Sequence, residues 1–485
     1  MEEAPEAVQV PVAVENAERN INVIGEHCLT RIFSTLPIQD RFATSLVCKN
    51  WYYILKELGW ANVTCWKVCQ HFIERPNLTV NTVLQTLEKS IKYLTSCCIS
   101  IEHHPIINTR NNPKWKKKVF SILSKGEKLR SVIWDFEVPS NTLERFFEKV
   151  INQLEELVFL PSNKIDMVLF APIFRKGSTL KTIIWEMNPK DFNARHLTIF
   201  MEALPRTITH MHIQMPDVYF IESILTNIDR FDNLDELHII GNEVKLNQPI
   251  YFARPTKLSV LQISKINIKT SLSFLSGVCG LKKLILFGGR ITKEIAQNFI
   301  IKNREIEEID IENIVGFNDD ILDKFLNLRF LKKLSISHQS EIRGTNLRRC
   351  DNLKKLCLYS CPSLTEESMA NLLGHARCMR LLILIENDIS ITENMIQICR
   401  GVQREERFCL YILRNNGQIQ VHFFPKLQPG EYVDLTDEYD EIHEMLQRIE
   451  NGEEDLQFLR QMFGDIIREQ TRIQNQVQNH REEEQ

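Results

Sequence analysis

Along the middle of the chain the apolar residues keep one order, apolar-x-x-apolar-x-apolar. The order restarts at Leu129, Leu154, Leu180, Ile208, Leu234, Leu258, Leu281, Ile306, Leu331, Leu353 and Met379, at intervals of 22 to 28 residues. The fourth place runs from Val132 to Leu382 and the sixth from Trp134 to Leu384, and all 33 slots of the eleven units are apolar. Scattered amphipathic helices also space apolar residues three apart, but they do not then alternate in and out and restart at a near-constant interval. Each unit therefore predicts a short strand, a turn and a helix. The helical stretches fall at Thr142–Ile151, Leu197–Leu204, Ile221–Ile228, Glu294–Ile301, Asp320–Leu326 and Glu367–Leu373. Capping signals open several of them: Asn141 three before Glu144, Asn318 and Asp319 before an apolar run, and Thr365 before two glutamates.

A strand–turn–helix unit repeated every 25 residues or so is the pattern of a solenoid, in which each unit buries its apolar edge only against its neighbours. Leu353-Lys-Lys-Leu356-Cys-Leu358-Tyr-Ser-Cys361-Pro-Ser-Leu364-Thr365 resembles the cysteine-containing leucine-rich repeat, with Cys361 three after the strand and Leu-Thr opening the helix. Other units place Gly289, Ile314 and Gln339 at the matching position. The resemblance covers roughly residues 129–385, with a capping unit at Phe408–Leu413, and leaves the register before Leu129 open. It implies an α/β class: a curved parallel sheet inside and helices outside. Period two then turns places three, five and seven of each unit outward on the concave side. Apolar and histidine residues there, Ile133, Val158, Leu160, Ile184, His212, His238, Ile285, Phe287 and Tyr359, are the candidate substrate-binding set. At place three, Lys283, Glu308 and Lys333 alternate in charge, which predicts cross-strand pairing.

Near the amino terminus, Ile24, Cys28, Leu29, Ile32, Phe33 and Leu36 have helical spacing. Pro37 and Asp40 mark a break and restart, and Phe42, Leu46, Val47, Trp51 and Ile54 form a second stripe. The strings Arg31-Ile32-Phe33-Ser34-Thr35-Leu36-Pro37-Ile38-Gln39-Asp40 and Ser45-Leu46-Val47-Cys48-Lys49-Asn50-Trp51 resemble the F-box, and Trp60 matches its closing tryptophan. The opening departs, with Ile24, Gly25 and His27 where the family has leucine, proline and an acidic residue. The resemblance implies a small all-α F-box that binds the Skp adaptor of cullin-RING (SCF-type) ubiquitin ligases. The contact set it implies is Ile24, Leu29, Ile32, Phe33, Leu36, Pro37, Leu46, Val47, Cys48 and Trp51. An F-box joined to leucine-rich repeats is an architecture of substrate receptors in such ligases. The alternative is a repeat scaffold or inhibitor that binds a protein partner without ubiquitin output.

Composition adds limits. The 485 residues are 43% hydrophobic and 25% charged, an ordinary globular balance. A net charge of −4 gives no whole-chain attraction to nucleic acid or to anionic membrane, so neither is expected as a partner. Thirteen cysteines without a paired framework point to a reducing compartment, cytoplasmic, nuclear or both. Residues 426–485 hold 16 Asp or Glu against 6 Lys or Arg, a charge of −10 that leaves +6 on residues 1–425. In that acidic, partly helical tail, Ile442, Met445, Ile449, Leu456, Leu459, Phe463, Ile466, Ile473 and Val477 have heptad spacing, suited to self-association or to capping the last repeat. The resulting plan is a disordered leader at 1–20, the F-box at 21–66, and a connecting segment with degenerate first repeats at 67–128. Repeats with a cap follow at 129–425, then the tail. Cys65, Cys69 and His71, and Cys97 and Cys98 near His103 and His104, lack the paired spacing of structural zinc. Lys114–Lys118 reads as a solvated helix face. With no phosphate loop, nucleophile elbow or metalloprotease helix, the expectation is a non-enzymatic protein without cofactors.

Overall fold

The computed structural model describes residues 25–36, 38–57, 60, 63–68, 80–99, 113–160, 167–186, 194–215, 221–244, 250, 256–347, 350, 352–387, 389, 392–402, 408–413 and 419–424. The leader and the heptads of the tail lie outside these residues. The chain divides into two compact units, residues 1–240 and 241–485.

The first unit opens with three helices, α1 (Glu26–Thr35), α2 (Ile38–Thr44) and α3 (Lys49–Glu57). Short strands follow: β1 (Cys65–Val68), β2 (Ser96–Ile99), β3 (Ser131–Trp134), β4 (Glu156–Phe159), β5 (Thr182–Glu186) and β6 (His210–Met215). All pair in parallel without a slip, Trp66 beside Cys97, then Val132, Leu157, Ile183 and Met211. Those six side chains are buried, so the fourth place of every unit forms one apolar row. The row begins two units before Leu129, because Val63-x-x-Trp66-x-Val68 and Leu94-x-x-Cys97-x-Ile99 carry the same order. The first strand thus starts at Cys65, inside the span read as F-box.

Behind the strands of this unit the core is aromatic. Phe120 meets Trp134 and Phe146, Phe147 meets Phe170 and Phe174, and Phe159 meets Trp185, at centroid separations of 5.1 to 5.7 Å. Most of these pairs meet edge to face, the arrangement favoured by the ring quadrupoles and worth about 0.5–1.5 kcal/mol beyond burial. The basic run lies on helix Pro113–Leu123, with Lys114, Lys117 and Lys118 exposed and Trp115 buried.

In the second unit the parallel strands are β9 (Val260–Ser271), β11 (Lys283–Arg290), β12 (Glu308–Glu312), β13 (Lys333–Ser337), β14 (Lys355–Tyr359), β15 (Leu381–Ile385) and β16 (Phe408–Leu413). Two short strands between them, β8 (Thr256–Lys257) and β10 (Val278–Cys279), form a separate pair. The register again holds, Leu261 beside Leu284, then Ile309, Leu334, Leu356, Leu382 and Leu410. The last parallel strand is closed by antiparallel β17 (Ile419–Phe424), which pairs the edge that a further repeat would otherwise occupy.

A left-handed residue recurs at one place in six repeats of this unit. Lys265, Gly288, Asn313, His338, Ser360 and Glu386, all at the eighth place, have φ of 49 to 89°. Only Gly and Asn take this left-handed conformation readily. The N–H groups of Asn313, His338 and Ser360 donate to Ser337, Tyr359 and Ile385 of the next strand, at 2.8 to 3.0 Å. At the ninth place the chain turns inward: Cys361 N–H donates to the side-chain oxygen of Asn387 (2.8 Å), whose amide donates to the Leu358 carbonyl (2.7 Å). Burial pushes the Cys361 thiol up to about 11, as suits a small core residue.

The helices fall at Ser140–Val150, Ala194–Ala203, Ile221–Asn227, Lys293–Lys302, Asp319–Leu326 and Glu366–His375, within a few residues of the expected stretches. Asn318 caps as expected, accepting from Ile321 N–H at 3.2 Å. Thr365 forms a capping box, but its partner is Ser368 instead of a glutamate. Asn141 does not cap, because the helix starts one residue before it, at Ser140, after Pro139. Thr292 and Thr392 cap helices for which no signal was read.

Gly288 is the most constrained turn. A Cβ there would run into the backbone carbonyl of Ile266 on the neighbouring strand. Gly288→Ala is expected to destabilise the second unit by at least about 2 kcal/mol, from strain and displacement together. Glu386→Gly, at the same place in a later repeat, should instead stabilise by up to about 1 kcal/mol, since it relieves a left-handed non-glycine residue. Denaturant melts of both variants check the contrast.

Candidate functional site

The three amino-terminal helices make a small core of Leu29, Phe33, Ile54 and Leu55, against which Leu36 and Trp51 pack. Phe33 and Trp51 meet at 5.0 Å between centroids. Helix α1 stops at Leu36, whose extended backbone (ψ 144°) is what the residue before a proline requires. Arg41 on α2 reaches back to the freed end of α1, donating from Nε to the Leu36 carbonyl at 2.9 Å and from Nη2 to Ser34. A cation there offsets the negative end of the helix dipole. Arg41 is buried, and burial lowers its pKa. Residues 45–47 form a turn before α3, so the expected second stripe is split between two helices.

The expected contact residues separate into three sets. Leu29 and Phe33 are 0% and 2% exposed and form the core of the bundle, which corrects their assignment as contact residues. Leu36, Cys48 and Trp51 are half-buried, and Trp51 N–H donates to the Cys48 sulfur. Ile32, Leu46 and Val47 are open to solvent at 44%, 75% and 63%. Ile24 and Pro37 lie outside the described residues. Two further residues, Tyr52 and Tyr53, are also exposed. Residues 32–53 thus hold five of the nine exposed large apolar side chains among the described residues. Sequence reasoning passed over the tyrosines because they fall between Trp51 and Ile54 on the face that the helical stripe leaves outward. Trp60 is buried, with the ammonium of Lys89 5.7 Å above its ring, and so joins the end of the bundle to helix Val80–Ser90.

The repeat strands place the candidate substrate residues in register. In the first unit, Ile133, Val158, Ile184 and His212 are neighbours at the fifth place. Ile133, Leu160, Ile184, His212 and His238 are half-buried, but Val158 is buried, since an in-register neighbour on each side covers a short branched chain. His212 stacks on His238, and burial first, then the charge of His238, lowers its pKa. In the second unit Phe287 and Tyr359 are half-buried and Ile285 is buried, so Val158 and Ile285 both leave the exposed set. Tyr359 meets His338 at 4.5 Å. The outward residues of β15, Leu381, Ile383 and Ile385, are buried too, so both faces of that strand are covered. Burial, then Asp310, pushes the Cys357 thiol up to about 12. The expected ion pair is present, Lys283 Nζ to Glu308 Oε2 at 3.1 Å, between half-exposed side chains and therefore worth about 0.5 kcal/mol.

None of the twelve described cysteines is in a disulfide, and Cys97 is fully buried with its thiol pushed up by burial. Cys69, His71, His103 and His104 lie outside the described residues. Among the described residues no helix is long and apolar enough to cross a membrane.

Residues 24–59 match the F-box domain family. No curated protein sequence matches the chain. Among solved structures, an internalin from Listeria monocytogenes is 13% identical, covering 67% of this chain and 93% of its own, with a TM-score of 0.41. The yeast complex of Rad7 and Elc1 is 13% identical over 85% and 94%, at 0.40. A leucine-rich repeat protein from Leptospira interrogans is 11% identical over 75% and 98%, at 0.35.

Core and surface roles within α1 are separable. Phe33→Ala should destabilise the three-helix bundle by about 3–4 kcal/mol, read as faster hydrogen exchange across residues 26–57. Ile32→Ala should leave that exchange unchanged, because its side chain already stands in water.

Proposed function

Because residues 24–59 are an F-box domain and the strands after it fold as leucine-rich repeats, we propose that this chain is the substrate-recognition subunit of an SCF-type cullin-RING ubiquitin ligase. The observation that carries the reading is the F-box match, and the concentration of exposed apolar residues in it supports the choice of face. In the proposed assembly, Ile32, Leu46, Val47, Tyr52 and Tyr53 meet the Skp adaptor. Burying a side chain of this size contributes about 1.5–3 kcal/mol, so two or three of them suffice to anchor a short helical motif in an adaptor groove. Leu29, Phe33 and Arg41 serve the same contact from behind, by fixing α1 against α3.

The half-buried residues of the repeat strands, Ile133, Ile184 and His212 in the first unit and Phe287 and Tyr359 in the second, are the proposed substrate readers. Within each unit the strands pair in register, which suits presenting these residues to a protein substrate. Ubiquitin transfer is then promoted by proximity and orientation, with the chemistry performed by other subunits. The proposed place of action is the cytoplasm or nucleus.

Co-expression of the full chain with the Skp adaptor, followed by size-exclusion chromatography with light scattering, tests this. A stable complex is expected for the wild type, and Leu46→Asp with Val47→Asp should weaken it at least 100-fold without changing the melting of the chain. Adaptor binding that survives both substitutions would remove this face from the contact, and a folded wild type that never binds would overturn the receptor reading.

A further inference from the structure

Strand β6 and the strand after it, β7 (Glu236–Val244), bring three histidines and a carboxylate together in the first unit. His210 and His212 are two residues apart on β6, as are Glu236 and His238 on β7, so the period of two puts each pair on one face of its strand. Glu236 stands between two imidazoles. Its Oε1 is 3.8 Å from His210 Nε2 and its Oε2 is 3.7 Å from His238 Nε2. Asp235, just before β7, brings a second carboxylate within 4.8 Å of the ligand atoms of His210 and Glu236. The His212 ring lies stacked on His238, centroids 5.7 Å apart and planes 20° from parallel.

Thr209 Oγ1 lies 3.2 Å from the Lys181 carbonyl and 2.7 Å from His210 Nδ1. The hydroxyl thus engages the Nδ1 side of the ring and leaves Nε2 to face the Glu236 carboxylate. A divalent ion among His210, Asp235 and Glu236 would neutralise both carboxylates at once. Ligands at about 2.0–2.1 Å from a tetrahedral metal stand about 3.4 Å apart, and the ligand atoms of His210, Asp235 and Glu236 already lie within 4.8 Å of one another. Thr209 has the part of an outer-shell group that fixes the ring.

We propose that His210 Nε2 and the carboxylates of Asp235 and Glu236 form a binding site for a zinc-class divalent cation. Imidazole and carboxylate without thiolate select such borderline ions over calcium or magnesium. The site stands on the repeat strands, independently of adaptor binding.

The test uses the full chain stripped of metal by a chelator, titrated with Zn²⁺ by calorimetry and with Co²⁺ by absorption spectroscopy. One site per chain is expected, with a cobalt spectrum that lacks thiolate-to-metal charge transfer. His210→Ala and Glu236→Gln should each weaken binding at least 10-fold, and Thr209→Val by about 10-fold, the usual range for an outer-shell group. These side chains are exposed or half-exposed, so the variants should melt as the wild type does. Absence of saturable binding, affinity unchanged in the His210→Ala/Glu236→Gln double variant, or a thiolate signature in the cobalt spectrum would each overturn the assignment.

Discussion

A strand of four or five residues cannot stand alone, and in this chain what makes it stand is parallel pairing without slippage. Each strand lies between two others at the same place in the repeat, so the fourth residue of one rests against the fourth of the next, as Leu157 does against Ile183 and Leu334 against Leu356. A slip of one residue would turn the whole apolar row to water. The outward places inherit the same constraint. Lys283 finds Glu308 because both are third in their repeats, and Val158 is covered because its fifth-place neighbours are the branched Ile133 and Ile184. Surface chemistry on such a sheet is therefore decided in columns.

The amino-terminal bundle works by a different division. Within one turn and a half of α1, Leu29 and Phe33 look inward and Ile32 looks out. The inward residues make a core far too small to hold a domain by itself. Arg41 and Trp60 compensate, the first by tying the helix ends together and the second by packing against the solenoid beside Lys89. Ile32, Leu46, Val47, Tyr52 and Tyr53 stay exposed beside this core.

The strands were plain in the sequence wherever the interval stayed between 22 and 28 residues, and every strand from β3 to β15 in the regular units begins at its third place, as at Glu156 or Lys355. Trp66 and Cys97 carry the same pattern but were passed over, because their units are spaced by 31 and 35 residues and break the interval. The left-handed eighth place was not legible at all. Lys265, His338, Ser360 and Glu386 carry no local preference for it, and at His338 and Ser360 a hydrogen bond to the next strand holds it. Exposure in the candidate sites was half legible: alternation assigned a face, but it could not tell that Val158 and Ile285 are shielded by their neighbours, or that Leu29 and Ile32 on one helix take opposite roles.

The eighth-place turns have a mechanical meaning. Three of these residues are held by a carbonyl of the strand that follows them in the chain, Ser360 by Ile385, His338 by Tyr359 and Asn313 by Ser337. When a strand frays, the residue before it loses its anchor and relaxes, which loosens the strand it belongs to. Coupling between repeats of the second unit therefore has a direction. It should unzip from the carboxyl side toward the amino side, and the antiparallel strand β17 is the clasp that keeps the zipper shut.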